Sequence, residues 1–420
     1  MRKLLAVAML LVVAVVAGCG GGGSSADAPP DVKVVAGDSS ATVTWTGDSS
    51  VEYWVWVAQG STVDTSNCTT STYCRIYTGT TSPFIITGLT NGTTYSVTVN
   101  GRHGGGPGGP GSSPIAFVPR LAGSVWTAGN PLSLNNLLGV TYTTATAAGT
   151  AMVVAVGASG TIYSTTSGTT WTAATSGTTA NLNAVQYRNG LFVAIGDLGT
   201  ILTSPDAVTW TPRTSPTTNT LTALVGSGSG QVIAVGAKGT ILASSNSTSW
   251  TVVDSGTTAD LYGIAYGNGR YVAVGAGGTM LTSTDGAKWT TVNSATTADL
   301  RGIAYGSVTT SATATTTTTA TTFISVGAAG TVLASTDGLV WTARPPISTS
   351  DLRAVTYGTR FVTAGTGGAI YTTSDGITWL AANSGTTANL NSLTFTLLTA
   401  QSIGVGYAAV GDGGVNLTAF

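Results

Sequence analysis

Seven times between Gly157 and Gly414 the chain spells G-x-x-G directly after a short apolar run. The glycine pairs are Gly157/Gly160, Gly196/Gly199, Gly236/Gly239, Gly275/Gly278, Gly327/Gly330, Gly365/Gly368 and Gly411/Gly414. In six units a tryptophan stands eleven residues after the second glycine: Trp171, Trp210, Trp250, Trp289, Trp341 and Trp379. The seventh unit meets the end of the sequence, and an unpartnered tryptophan, Trp126, stands ahead of the first. Self-similarity at a fixed period of about 39 residues belongs to units that cannot bury their apolar face alone and must stack.

The unit reads best from Asp260 to Thr290. Leu261-Tyr-Gly-Ile-Ala-Tyr is an apolar strand, Gly267-Asn-Gly-Arg a turn, and Tyr271-Val-Ala-Val a second strand. Gly275-Ala-Gly-Gly turns into Thr279-Met-Leu-Thr-Ser, and Thr284-Asp285-Gly286 turns into Lys288-Trp289-Thr. Four strands joined by tight glycine turns make one antiparallel blade of a β-propeller, and seven copies predict seven blades. The seventh unit lacks its fourth strand, whereas Ser124-Val125-Trp126-Thr127 has that pattern and no blade of its own. It is expected to complete the last blade, closing the ring and removing an exposed sheet edge.

Composition limits the functions open to the chain. Its 420 residues suit two domains or a repeat array. Only 7% are charged, but 42% apolar residues with ten tryptophans can bury a core. A net charge of -1 provides no field to gather nucleic acid. Solubility must rest on Thr, Ser and Asn.

Residues 1–18 read as a signal peptide: Arg2 and Lys3 precede the apolar stretch Leu4 to Val16, which is too short to span a bilayer comfortably. Val16-Ala17-Gly18-Cys19 resembles a bacterial lipobox; the alternative is an ordinary secretory signal with a chance cysteine. The resemblance implies acylation of Cys19 and, with Gly20 following, outer-membrane sorting as in Gram-negative lipoproteins. Residues 19–28 would then be a flexible tether, Gly20 to Ala28 reaching about 15–18 Å. The expected location is the cell envelope, on an outer-membrane lipoprotein facing the periplasm or the surface. The two other cysteines, Cys68 and Cys74, lie in a polar loop without a histidine nearby. An exported compartment favours a disulfide between them, with two free thiols as the other possibility.

From 29 to 119 the period is two. Val32-Lys-Val-Val, Ala41-Thr-Val-Thr-Trp45-Thr, Tyr53-Trp-Val-Trp-Val and Tyr95-Ser-Val-Thr-Val-Asn alternate with Gly/Asp/Ser turns, the pattern of a β-sandwich. Pro29-Pro30, Trp45 and Leu89-Thr90-Asn91-Gly92-Thr93-Thr94-Tyr95 resemble a fibronectin type III domain. That resemblance implies that Tyr95 is the family's tyrosine corner. Gly104-Gly-Gly-Pro-Gly-Gly-Pro-Gly falls where the family's F–G loop lies and is expected to be a flexible excursion. His103, the only histidine, borders it and is expected to be a solvated loop residue.

The propeller is expected over 120–420, making the whole chain all-β. Its third turns, Ser283-x-Asp285-Gly286-x-x-Trp289, Ser335-x-Asp337-Gly338-x-x-Trp341 and Thr373-x-Asp375-Gly376-x-x-Trp379, resemble the Asp-box (BNR) repeat. In the other units Asp206 keeps only the acid, and Asn246 and Ser167 replace it. By that resemblance these aspartates are structural, with the carboxylate accepting turn N–H groups, and not catalytic. L-x-G-I-A-Y-G with V-A-V-G-x-x-G-T-I-L resembles propellers of the photosystem II stability/assembly factor type, a likeness that implies fold more than function.

A site is sought where repetition fails. The residue after the leucine opening each first strand reads Leu138, Asn183, Thr222, Tyr262, Arg301, Arg353 and Asn391. Inside the G-x-x-G turns Asp197, Lys238 and Asp412 are the polar side chains assigned to the same face. These positions drift freely if solvated; otherwise they form a ligand or peptide site in which Arg301 and Arg353, from adjacent blades, could face one anion. No R-I-P signature, G-x-S-x-G, metal-ligand cluster or paired-carboxylate constellation is present, so catalysis, a metal and a cofactor are not expected. The expected function is a monomeric, membrane-anchored, non-catalytic binding or scaffold lipoprotein with a protein or glycan partner. The alternative is a carbohydrate-binding or sialidase-like surface protein. Ser307 to Thr322 is a Thr-rich insertion, expected to be a protruding hairpin or a mobile loop that leaves the opposite face.

Overall fold

The structure is a computed structural model, and it describes residues 23–63, 65, 73–144, 146, 149–312, 317–397 and 406–419. Cys19 and Cys68 lie outside the described residues; Cys74 is disulfide-bonded. The chain is all-β. Most of the described residues up to Phe117 form one compact unit, and Val118 onward forms the body of a second.

The first unit is a two-sheet sandwich. One sheet runs in the order Ser24–Ala26, Tyr95–His103, Glu52–Gln59, Cys74–Thr80, with Ile115–Phe117 also paired to Tyr95–His103. The other holds Lys33–Gly37, Ser40–Thr44 and Phe84–Thr87. Tyr53, Val55 and Val57 are buried, as are Val97 and Val99, and the alternate residues Trp56, Ala58, Thr98 and Asn100 are buried as well, so these two central strands are covered on both faces. The Tyr95 ring is buried, stacked on Phe117 at 6.1 Å and edge-on to Tyr73 at 5.3 Å.

Three expectations are revised in this unit. Ser24–Ala26, inside the segment read as a tether, is a strand paired with Gly101–His103. The glycine-rich loop is not a free excursion: Gly106 donates to the His103 carbonyl, Gly109 to that of Gly101 and Ser112 to that of Val99, each at 2.9 Å. A Cβ on Gly109 would stand 1.8 Å from the Ala26 carbonyl oxygen, and one on Gly106 2.3 Å from the Gly23 carbonyl carbon. Gly106 and Gly109 leave no room for a side chain because they lie directly on the N-terminal strand, whereas Gly104 and Gly105 have φ of +56° and +79°. His103 ends a strand and is partly buried, its Nδ1 3.1 Å from the Ser50 carbonyl oxygen.

The second unit contains, among the described residues, seven four-stranded antiparallel sheets arranged as a β-propeller. Blade four illustrates the plan, with strands Leu261–Gly267, Arg270–Gly275, Met280–Ser283 and Thr290–Thr291. Its second strand is buried on both faces, since Tyr271, Val272, Ala273 and Val274 are all at most 1% exposed. This explains the V-A-V run, because neighbouring blades cover both sides of that strand; where Ser325 and Thr363 take the place of Ala273, each hydroxyl donates to a backbone carbonyl. The blade tryptophans Trp210, Trp250 and Trp341 are buried in clusters that draw on two adjacent blades.

The ring shuts through the N-terminal strand of this unit. Trp126–Ala128 pairs antiparallel with Leu417–Ala419, completing the seventh sheet. Trp126 is buried with Leu393, Tyr407 and Leu417, and its Nε1 donates to the Gly123 carbonyl at 2.9 Å. The first strand of blade seven in turn lies against that of blade one, Asn391 Nδ2 donating to the Leu137 carbonyl at 2.9 Å.

In the third turns the carboxylates act locally. Asp285 Oδ1 accepts from the Ala287 and Lys288 amides at 2.8 and 2.9 Å. Asp337 does the same for Leu339 and Val340, and Asp375 for Ile377 and Thr378. The amides of Lys288 and Ala287 hold the Asp285 carboxyl below its ordinary value, as those of Val340 and Leu339 do for Asp337. Gly286, Gly338 and Gly376 have φ of +70°, +73° and +69°, the left-handed region that glycine enters without cost.

The Thr-rich insertion forms strands. Leu300–Ala312 and Thr317–Gly327 extend the first hairpin of blade five, and residues 313–316 lie outside the described residues. The base of the hairpin is held by blade six. Val308 is buried and the Thr309 amide donates to the Ser374 carbonyl at 2.8 Å.

Candidate functional site at the channel mouth

The ring positions singled out by their variability share one backbone feature. In each first strand the ladder slips across the residue after the opening leucine, between Leu137/Gly139, Leu182/Ala184, Leu221/Ala223, Leu261/Gly263, Leu300/Gly302, Leu352/Ala354 and Leu390/Ser392. Leu138, Asn183, Thr222, Tyr262, Arg301, Arg353 and Asn391 are therefore bulge residues. Left out of the pairing, a bulge residue can be aimed away from the pleat. All seven line the same central cavity, which encloses about 200 Å³.

Leu138 is apolar, and the other six side chains divide into two groups. Asn183 Nδ2 donates to the Leu221 carbonyl at 2.9 Å, Thr222 Oγ1 to that of Leu261 at 2.6 Å, and Asn391 Nδ2 to that of Leu137 at 2.9 Å. Each bond joins a bulge to the opening leucine of the next blade, so these three residues are committed to holding the ring. Tyr262, Arg301 and Arg353, on the consecutive blades four, five and six, make no bond of this kind. Arg301 lies over the Tyr262 ring at 5.6 Å, and Arg353 Nη1 donates to Asn391 Oδ1 at 2.5 Å. Burial, together with Asp299 and Asp260, pushes the Tyr262 hydroxyl above its ordinary pKa, so it stays a neutral donor.

The turn residues named from sequence are placed as follows. Asp197 accepts from Asn183 at 3.0 Å and Asn181 at 2.9 Å, and Asp412 from Asn391 at 2.9 Å and Asn389 at 2.8 Å. Both acids thus orient the committed asparagines. Lys238 is exposed with φ of +54° and its side chain stands apart from them.

Arg301 and Arg353 line the same cavity, and Arg301 also has acidic neighbours. Its Nη2 is 3.5 Å from Asp299 and 3.9 Å from Asp351. Partly exposed pairs at such distances contribute about 0–1 kcal/mol, so they bias the arginine without closing it to other partners. Arg301 and Arg353 are the charged side chains among the residues that line the cavity, with Asp299 and Asp351 standing beside Arg301.

Sequence reading passed over the residue before each opening leucine. Asn136, Asn181, Asp260, Asp299, Asp351 and Asn389 each accept, through Oδ1, the amide of the third residue of the preceding blade's G-x-x-G turn at 2.8–3.1 Å. Six blade junctions are stitched in this way among the described residues, each bond worth about 1 kcal/mol. The signal was available, since this position is Asn, Asp or Thr in every unit; Thr220 is the exception to the stitch. Among the described residues no group of three or more His, Cys, Asp or Glu is placed to hold a metal ion.

Fold and site define a β-propeller whose channel mouth is polar and chemically varied around the ring, preceded in sequence by a fibronectin-type sandwich. Residues 27–118 match the family model of the fibronectin type III domain, and residues 124–261 match that of the DUF6242 beta propeller domain. Among solved structures, YCF48 bound to D1 peptide is similar at 17% identity and TM-score 0.53, covering 70% of this chain and 94% of that one. YCF48 from Cyanidioschyzon merolae is similar at 18% identity and TM-score 0.53, covering 70% and 98%. The WD40 beta propeller domain of Doa1 follows at 13% identity and TM-score 0.50, covering 70% and 96%. At these identities the likeness establishes the fold. A comparison with curated protein sequences finds no match.

Proposed function

We propose that this chain is a non-catalytic binding platform of the cell envelope, anchored through lipid on Cys19 and presenting its channel mouth to a polypeptide partner. The observation that carries this reading is the division of the bulge residues. Blades two, three and seven use theirs to bond the backbone of the next blade, while Tyr262, Arg301 and Arg353 of blades four to six make their contacts to other side chains and line the cavity. Contiguous aromatic and guanidinium groups on a rigid scaffold suit recognition of a polar chain. YCF48, of similar fold, has been solved with a peptide bound, so a propeller of this kind accommodates such a partner. A glycan reading gains less support, because no tryptophan is among the residues lining the cavity, and Trp210, Trp250 and Trp341 are buried.

Two measurements test the proposal. Capture from the organism's own envelope fraction by the acylated full-length protein should fall at least about tenfold in the Arg301→Ala/Arg353→Ala double variant, with its melting temperature retained. Unchanged capture would remove the mouth from the binding surface. Cys19→Ser should release the protein from the membrane fraction, because the lipid is what holds it there; continued sedimentation with membranes would overturn the anchor.

A further inference from the structure

The pair Asn-Gly occurs three times in the chain, at Asn91-Gly92, Asn189-Gly190 and Asn268-Gly269. An asparagine followed by glycine has a chemistry of its own, because no side chain shields the next backbone nitrogen from the amide carbon. Two of the pairs occupy equivalent positions in blades two and four. Each closes the hairpin of the first and second strands, between Arg188 and Leu191 or between Gly267 and Arg270. Their φ angles nearly coincide, +53° and +77° in blade two against +48° and +70° in blade four. Two consecutive residues of positive φ make the tight hairpin turn that Asn-Gly favours.

What holds each pair differs. Asn91 Oδ1 accepts from the Ser39 amide at 2.9 Å, its Nδ2 donates to Asp38 Oδ1 at 2.8 Å, and the Gly92 amide donates to the Pro119 carbonyl at 2.8 Å. Asn189 Nδ2 donates to the Gly230 carbonyl at 2.9 Å and to Ser247 Oγ at 3.0 Å, so this turn is tied to blade three. Asn268 is exposed, and neither its side chain nor the Gly269 amide bonds to any described residue. The reason lies in the next blade, where Gly338 holds the place of Ser247 and has no hydroxyl to offer.

We infer that Asn268 is a site of spontaneous deamidation, the first of the three Asn-Gly pairs to convert. When the turn opens, the Gly269 nitrogen gives its proton to hydroxide and attacks Asn268 Cγ. A C–N bond forms, the bond to the side-chain nitrogen breaks, and that nitrogen leaves as ammonia with a proton from water. Water then opens the five-membered imide at either carbonyl, giving aspartate or isoaspartate. Either product carries one further negative charge, and isoaspartate adds a backbone carbon to a turn of two residues. The bulge of the same strand lies at its other end, between Leu261 and Gly263, so the channel mouth is left as it was.

The test incubates the full-length protein in detergent in mildly alkaline buffer. Peptide mass spectrometry and isoaspartate methyltransferase labelling then follow each pair. Conversion at Asn268 is expected to run at least about tenfold faster than at Asn189, with Asn91 slower still, because each hydrogen bond that must break shifts the opening equilibrium by roughly fivefold. Ser247→Ala places there the residue that Ala207 already supplies in blade two, and should speed conversion at Asn189 by roughly fivefold. In urea the three rates should converge. Asn268→Gly, which the turn accepts, should abolish the first acidic species seen on isoelectric focusing. Equal rates at Asn268 and Asn189 in the folded protein, an order that persists in urea, or the same acidic species in Asn268→Gly overturns the inference.

Discussion

Replacing Gly278 with alanine is expected to lower the stability of the propeller by about 3–5 kcal/mol, whereas the same change one residue earlier, Gly277→Ala, should cost only about 1 kcal/mol. Both glycines have positive φ, +58° at Gly277 and +76° at Gly278. They differ in what a methyl group would meet. At Gly277 nothing lies within 4 Å, and at Gly278 a Cβ would stand 2.0 Å from the Thr296 carbonyl oxygen. The first change therefore costs backbone strain alone, while the second must also displace the backbone of the loop leading into the next blade. The chain contains its own substitution series: the position of Gly277 is filled by Ser159, Leu198, Lys238 and Ala329 elsewhere, all at positive φ. The position of Gly278 is glycine in all seven units. Urea unfolding of both variants measures the difference, and equal losses would show that the close approach is not what demands glycine.

Trp126→Ala is expected to cost about 3–5 kcal/mol, the usual range for emptying a buried tryptophan site. Deletion of 120–128 should be more damaging. The strand that the deletion removes covers the outer edge of Leu417–Ala419 and contributes Trp126 to a cluster shared with Tyr407 and Leu393. Without it the seventh sheet has three strands and an exposed edge, and the ring loses its closure. The deleted protein should melt well below the full chain and associate with itself. A truncated protein with unchanged melting temperature would show that closure contributes little to stability.

How far the sequence could be read depended on whether a feature repeats. Blade period, strand count and the closing role of Trp126 were legible, because packing demands the same residue type at the same place in each unit. The channel ring was found only by its irregularity. What made it a ring, a bulge after each opening leucine, leaves no mark in composition, since any residue can be bulged. The Asx stitches were visible as Asn136, Asn181, Asp260, Asp299, Asp351 and Asn389, but their purpose lies in a turn of another blade. The glycine-rich loop of the sandwich misled for the same reason. A run of glycines reads as freedom, while here Gly109 records the absence of space beside Ala26.

By itself, then, the sequence determined an all-β chain with a repeating blade and a displaced closing strand, since local alternation and turn chemistry suffice for that. Only the tertiary structure decided which of the varied side chains bond to the backbone of the next blade. Asn183, Thr222 and Asn391 do so, while Tyr262, Arg301 and Arg353 border the channel and make their contacts to other side chains. That division depends on hydrogen bonds from one blade to the next, or across the closure of the ring; the repeat places the two residues at equivalent positions but does not say which side chain reaches the neighbouring carbonyl.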